Sequence, residues 1–310
     1  MARFVLESIC LLPRLVGNSS NAKGECMNKI LKSAVVSLPP ALLLPILRSR
    51  RNLTYSLPPN TELIWPWYLG NVKVHINSSN AIEHWMFRDY QEGIGQNLNL
   101  FVKPGYYCID VGANVGAVTV MMAKYVGPQG KVLSFEPGPP YLARLKSNIE
   151  LNPGMEKIIT VVQLGLSDAP GELTWTADED HPYNAVLVDG LAKGKGVKVP
   201  ITTLDTYMAE SPWPKLDFLK VDVESMELEV LRGAKDTLTQ FKPTVVFETY
   251  QDFRMSRGFD IFKACEDLMR GLGYNLYSMD DAGKLIEVTA DTMTMDTIAI
   301  HKSKPTALPK

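Results

Sequence analysis

Asp110, Gly112 and Gly116 shape a turn within the stretch CIDVGANVG, and Glu136 follows Gly116 by 20 residues in KVLSFEP. Glycine permits left-handed backbone and lets a ligand approach the main chain closely. A dinucleotide turn needs glycines at i, i+2 and i+5, so that a pyrophosphate can rest on the next helix. Counted from Gly112 those places hold Asn114 and Ala117, and the carboxylate of Asp110 would repel a phosphate. A carboxylate before the turn instead suits a cationic amine, and one at the next strand end can accept from both hydroxyls of a ribose. A ribonucleoside bearing an amine and no phosphate fits these positions. S-adenosylmethionine is such a ligand, and the competing reading is a purely structural turn.

A second acidic group follows in LKVDVESMELEVL, where Asp222, Glu224 and Glu227 stand beside Lys220, and Glu248 ends VVFE. A sulfonium methyl is already electrophilic, so alignment of the nucleophile is the main task. An aliphatic hydroxyl is a poor nucleophile while protonated, so methylating it calls for a base or a metal. Asp222, Glu224 and Glu248 are therefore the expected acceptor-side acids. By analogy alone, Asp222 and Glu248 could hold a divalent cation through oxygen. The competing account is local, since acids in a first helical turn complement the helix dipole by about 0.3–1 kcal/mol each. Of four histidines, His84 and His181 are placed to reach a pocket, whereas His75 and His301 read as structural. Trp175, Tyr183 and Tyr250 could wall the acceptor or simply pack.

These residues need a frame. NVKVHI alternates as a strand, and Ile82, Trp85 and Met86 follow at helical spacing. Then strands YYCIDVG, KVLSFEP and ITVVQLGLS alternate with helices AVTVMMAKYV and YLARLKSNIELN. Residues 172–200 break the rhythm, as strands ELTWTAD and VKVPITTL flank a Gly/Lys-rich loop in a β-rich insertion. The alternation resumes through DFLKVDV, EVLRGAKDTLTQ, TVVFETY and IFKACEDLMRGL, and closes with YNLYSMD and TMDTIAIHK as an antiparallel end. Such an order predicts an α/β fold with a parallel sheet covered on both faces, its ligands beyond the carboxyl ends of the strands.

The expected organisation is an extension over 1–60 and a domain over 61–303. The first 51 residues carry eight Lys/Arg against two Glu, whereas the rest is net acidic. A packing extension is expected there, with an organellar presequence or docking arm as the alternative. No run reaches the ~18 apolar residues of a membrane span. Cys10, Cys26, Cys108 and Cys265 lack metal-ligand spacing, so zinc is not expected, and reduced thiols in a cytoplasmic chain are. The formal net charge of −2 and the acidic body disfavour nucleic acid. Oligomeric state is not legible.

IDVGANVGAVTV, FEPGPPYLARLKSNIELN and TLDTYM with DFLKVDVESMELEVLRGA together resemble the FkbM family of class I S-adenosylmethionine-dependent methyltransferases, over residues 80–300. The resemblance implies a Rossmann-like, mostly parallel seven-stranded sheet, ordered 3-2-1-4-5-7-6 with the seventh strand antiparallel. It implies that Asp110, Gly112, Ala113, Asn114, Gly116 and Glu136, with Pro137 of the Glu-Pro pair, hold the cofactor. It places Leu166, Ser167 and Asp168 beside the adenine. The implied reaction is methylation of a hydroxyl on a small molecule, natural product or sugar. A nitrogen or carboxylate acceptor, or a non-catalytic binding module on the same fold, are the alternatives. The family's DVEG turn reads Asp222-Val223-Glu224-Ser225 here, and serine can cap a helix but adopts positive φ less readily than glycine.

Overall fold

The computed structural model describes residues 60, 62–68, 72–80, 83, 86, 94–177, 185–187, 196–249, 255, 258–280, 283–288 and 295–304. The expected 1–60 extension, His84, His181, Tyr183 and Tyr250 therefore lie outside the described residues, apart from Asn60. An antiparallel hairpin opens the described chain, β1 (Glu62–Tyr68) with β2 (Val72–Asn77). The short helix α1 (Leu98–Phe101) then leads into alternating elements: β3 (Tyr107–Val111), α2 (Ala117–Val126), β4 (Lys131–Phe135), α3 (Pro139–Glu150) and β5 (Ile159–Val162). Next come β6 (Gly165–Leu166), β7 (Gly171–Ala177), β8 (Ala185–Leu187) and β9 (Val197–Thr202). The rest is α4 (Leu204–Glu210), β10 (Phe218–Val221), α5 (Glu227–Arg232), α6 (Lys235–Phe241), β11 (Thr244–Glu248), α7 (Ile261–Gly271), β12 (Tyr274–Met279), β13 (Leu285–Glu287) and β14 (Asp296–His301).

The main sheet runs β13-β12-β14-β11-β10-β3-β4-β5. β3, β4, β5, β10 and β11 are parallel, and β14 is antiparallel to both of its neighbours. With β13 set aside this is the implied 3-2-1-4-5-7-6 order of a Rossmann-like α/β fold. The sheet has eight strands rather than seven, because the connection read only as a link contains β13, which pairs with β12. β10 is buried along its whole length, and apolar residues of β3, β4, β10, β11 and α5 meet in the central core. α2 is apolar on nearly every face because the surrounding elements bury it. Asp260 caps α7 by accepting the Lys263 amide hydrogen at 3.0 Å, and Ile261, Phe262, Cys265 and Met269 form its buried face.

Two predicted elements are split. ITVVQLGLS ends in the main sheet at Val162, and Gly165–Leu166 pair instead with β9 in an accessory sheet ordered β6-β9-β7-β8. The helix read over EVLRGAKDTLTQ breaks between α5 and α6 at Gly233, where a Cβ would lie 2.0 Å from the Ser167 carbonyl oxygen. The strands of the 172–200 region pair directly, since β7 lies antiparallel to both β9 and β8.

Helix α3 ties the opening hairpin to the glycine turn. Asn148 accepts from the His75 amide at 2.8 Å and donates to the Val115 carbonyl at 2.8 Å. Asn152 accepts from the Lys73 amide at 2.9 Å and donates to its carbonyl at 2.8 Å, so two side chains four apart imitate a strand partner for β2. The Arg144 Nε holds the buried Glu83 at 2.7 Å.

Candidate active site

The residues singled out from the sequence gather at the carboxyl ends of β3, β4, β10 and β11. The turn after β3 is held by its own bonds. Gly112 and Ala113 both donate to the Phe135 carbonyl, at 3.0 and 2.9 Å. Asn114 donates to Glu136 Oε2 at 2.7 Å, Val115 to Asn114 Oδ1 at 2.7 Å, and Gly116 to the Ala113 carbonyl at 2.8 Å. Every amide from 112 to 116 thus has an internal acceptor, and none is left to cradle a pyrophosphate. Gly112, Asn114 and Gly116 have φ of 77, 51 and 82°. The glycines also admit neighbouring chain: a Cβ on Gly112 would lie 1.9 Å from the Asp222 carbonyl oxygen, and one on Gly116 would lie 2.2 Å from Leu145 Cδ1.

Glu136 is the hinge of the site. It is 4% exposed, with Oε2 on the Asn114 amide and Oε1 on the Gly138 amide, both at 2.7 Å. Pro137 between them is buried, and its fixed φ favours the tight return that brings the Gly138 amide back to the carboxylate. A carboxylate oxygen has two lone-pair sites, so each oxygen can accept one more hydrogen bond. Burial raises the Glu136 carboxyl to about 7, although the two amides pull it down. The residues present fit a ribose diol.

Asp110 lies deeper than the sequence reading placed it. It is fully buried, with Oδ2 accepting from Thr119 Oγ1 at 2.6 Å and Oδ1 lying 3.8 Å from Lys220 Nζ. Lys220 and Asp110 are register partners on β10 and β3. Within the chain the charge that answers Asp110 is Lys220, and Oδ1 accepts no hydrogen bond among the described residues. Lys220 Nζ also donates to Asp222 Oδ2 at 2.8 Å. Burial depresses the lysine, but the Asp222 and Asp110 carboxylates overcome it and raise its pKa, so the ammonium keeps its proton.

The segment from Asp222 to Glu227 departs most from the sequence reading. Glu224 and Ser225 both take positive φ, 54 and 79°, and the helix N-cap is Met226, so Ser225 is not the cap expected of it. The Glu227 carboxyl turns back and accepts the Val223 amide at 2.9 Å, with further backbone bonds from Ser225 and from its own amide. Glu227 is buried and holds the left-handed turn. Burial, then Asp222 and Glu227, raise Glu224 to about 9. Burial, with Asp222, Glu224, Glu227 and Asp296, raises Glu248 to about 11, and its Oε2 is buried without a hydrogen-bond partner. At neutral pH Glu224 and Glu248 carry protons.

Ser167 and Asp168 follow β6 on the accessory-sheet side. Ser167 is buried with its amide on the Thr202 carbonyl at 2.9 Å, and Asp168 is exposed. Two histidines are engaged elsewhere, His75 with Ser147 Oγ at 2.9 Å and His301 with Ser303 Oγ at 2.8 Å. Among the described residues, no cluster of His, Cys, Asp and Glu has the arrangement of a metal site, and no helix is long and apolar enough to cross a membrane. Three residues the sequence reading missed belong to the site. Thr119 holds Asp110, Gly138 holds Glu136, and Tyr141 is raised to about 12 by burial and by the Glu136 and Glu224 carboxylates. Thr119 had a signal, as the one hydroxyl in the apolar AVTVMMA.

The comparison that decides the family covers this same span: residues 110–276 match the methyltransferase FkbM domain. The chain belongs to the FkbM methyltransferase family. Among curated proteins it is similar to the methyltransferase sdnD of Sordaria araneosa, 30% identical over 174 residues that cover 47% of this chain and 66% of that protein. The chain therefore spans just under two thirds of that relative's length. It is also similar to the 2-O-methyltransferase NoeI of Sinorhizobium fredii, 24% identical over 59% of this chain and 82% of the relative. Among solved structures, the methyltransferase FkbM of Methylobacillus flagellatus aligns at 15% identity and a TM-score of 0.43, over 69% of this chain and 46% of that one. The FkbM domain thus contains both carboxylate groups derived above, from Asp110 to Glu248.

Proposed function

We propose that this FkbM-family chain transfers a methyl group from S-adenosylmethionine to a hydroxyl of a small molecule, natural product or sugar. The observation that carries the cofactor is the closed turn: five consecutive amides are bonded internally, and Glu136 stands beside them with one accepting site open on each oxygen. That arrangement suits a ribose and offers nothing to a pyrophosphate. When bound, S-adenosylmethionine supplies an electrophilic methyl on a sulfonium.

Glu136 would accept the ribose hydroxyls, with Gly112, Ala113, Asn114, Gly116 and Pro137 shaping the turn around it. Asp110 acts through Lys220, whose fixed ammonium orients Asp222 at the acceptor side. Glu224 is the proposed base. Its raised pKa makes its ionised form a stronger proton acceptor than an ordinary carboxylate, as an alcohol requires. Glu248 stays protonated at neutral pH and can donate to the acceptor. The hydroxyl assignment draws support from NoeI, whose name gives it as a 2-O-methyltransferase. Ser167 and Asp168 would lie on the adenine side, and residues 61–303 would form the catalytic domain.

The test is methyl transfer from S-adenosylmethionine to a panel of sugar and polyol hydroxyls, with amines and carboxylates as comparison acceptors. Transfer to hydroxyls that Glu224→Gln slows by about 100-fold or more, the lower end of general-base effects, supports the proposal. Transfer only to amines or carboxylates, unaffected by that change, refutes it.

A further inference from the structure

The accessory sheet meets the proposed ribose site through Trp175. Trp175 of β7 is 6% exposed. Its indole lies so close to Gly138 that a Cβ there would sit 2.5 Å from ring atoms Cε2 and Nε1. The same ring meets Tyr141 edge-on, with centroids 5.7 Å apart and planes at 82°. Gly138 is the N-cap of α3 and donates its amide to Glu136 Oε1, and Tyr141 lies in the first turn of that helix. The backbone of β7 is fixed in turn by pairing of Trp175 with Val197 and with Leu187. The sequence reading offered Trp175 as a wall for the acceptor, whereas the structure puts its ring on the cofactor loop.

We propose that Trp175 is a positioning residue for Glu136: its indole presses Gly138 into the return that keeps the Gly138 amide on the carboxylate, and so couples the accessory sheet to cofactor affinity. The inference rests on the reading of Glu136 as the ribose acceptor. Without the ring, the atoms packed closest to Gly138 are gone and its amide can leave Oε1, which then loses its fixed donor. The groups facing Glu136 are then the Asn114 amide, the Tyr141 hydroxyl and the Asp110 carboxylate, of which only the first two are donors. A carboxylate that loses a donor is harder to ionise.

The experiment titrates S-adenosylmethionine into the full chain by calorimetry between pH 6 and 9, for wild type, Trp175→Ala, Trp175→Phe, Gly138→Ala and the Gly138→Ala/Trp175→Ala pair. Trp175→Ala is expected to raise Kd about tenfold, the scale of one hydrogen bond to a charged group. It should also move the pH midpoint of binding upward, a shift that looser packing elsewhere would not produce. Trp175→Phe, which keeps a flat ring, should restore most of the affinity. Gly138→Ala alone should weaken binding through the clash, and the double variant should be no weaker than either single one. If Trp175→Ala does not fold, Trp175→Leu carries the same comparison with a smaller cavity and no ring. Unchanged Kd and midpoint in a folded Trp175 variant, with wild type binding normally, overturn the inference and leave the cofactor reading intact. Additive effects of the two substitutions overturn it as well. No binding by folded wild type overturns the cofactor reading itself.

Discussion

Ser225 stands where the family turn has glycine, and its φ of 79° lies in the region that L-residues other than Asn and Asp avoid. Replacing it by glycine should stabilise the chain. The left-handed conformation costs a residue with a Cβ about 1–2 kcal/mol. Glycine loses more backbone entropy on folding, which returns about 0.5–1 kcal/mol of that gain. The Ser225 amide that serves Glu227 is retained in the variant. The net expectation is therefore a gain of about 0.5–1 kcal/mol, or a Tm higher by about 1–4 °C for a domain of this size. Ser225→Ala separates the contributions, because it keeps the Cβ and loses only the hydroxyl, and it should not gain. Differential scanning calorimetry on the three proteins reads both. A Ser225→Gly Tm equal to or below wild type would refute the argument, and would mean that the serine side chain supports the turn more than its backbone strains it.

Gly112→Ala should destabilise by about 3 kcal/mol or more, from overpacking against the Asp222 carbonyl and a φ of 77°, measured by urea unfolding. Glu136 titrates near 7, and only its ionised form accepts two ribose hydroxyls, so cofactor affinity should fall about tenfold per pH unit below that value and level off above it. Methyl transfer to a hydroxyl should rise with pH toward about 9 in kcat/KM as Glu224 ionises, with the midpoint in kcat lower because the bound sulfonium favours the carboxylate. Stability should run opposite to ordinary carboxylate behaviour. Glu136, Glu227, Glu224 and Glu248 all bind protons more tightly folded than unfolded, so the ligand-free chain should lose thermal stability as pH rises from 5 to 9.

What the sequence disclosed and what it hid divide by distance along the chain. The glycine turn and the strand-end Glu136 were legible because each rests on spacing within one strand-helix unit, and the strand order followed from the resemblance to the FkbM family. The burial of Asp110 was not, since it depends on Lys220 arriving on a neighbouring strand 110 residues later. The close packing at Gly233 was hidden for the same reason, since the Ser167 carbonyl that lies against it comes from a distant segment. Glu227 read as one more acid of a first helical turn because nothing local says that the preceding turn is left-handed. The serine in place of glycine marked that turn without revealing how it is held.

One calorimetric comparison tests most directly whether the closed turn and Glu136 select a phosphate-free ribonucleoside. S-adenosylmethionine and NAD are each titrated into wild type and into Glu136→Ala. Saturable binding of S-adenosylmethionine that weakens sharply in the variant, with no heat from NAD, is the expected result. Binding of NAD, or S-adenosylmethionine binding that survives Glu136→Ala unchanged, would contradict it.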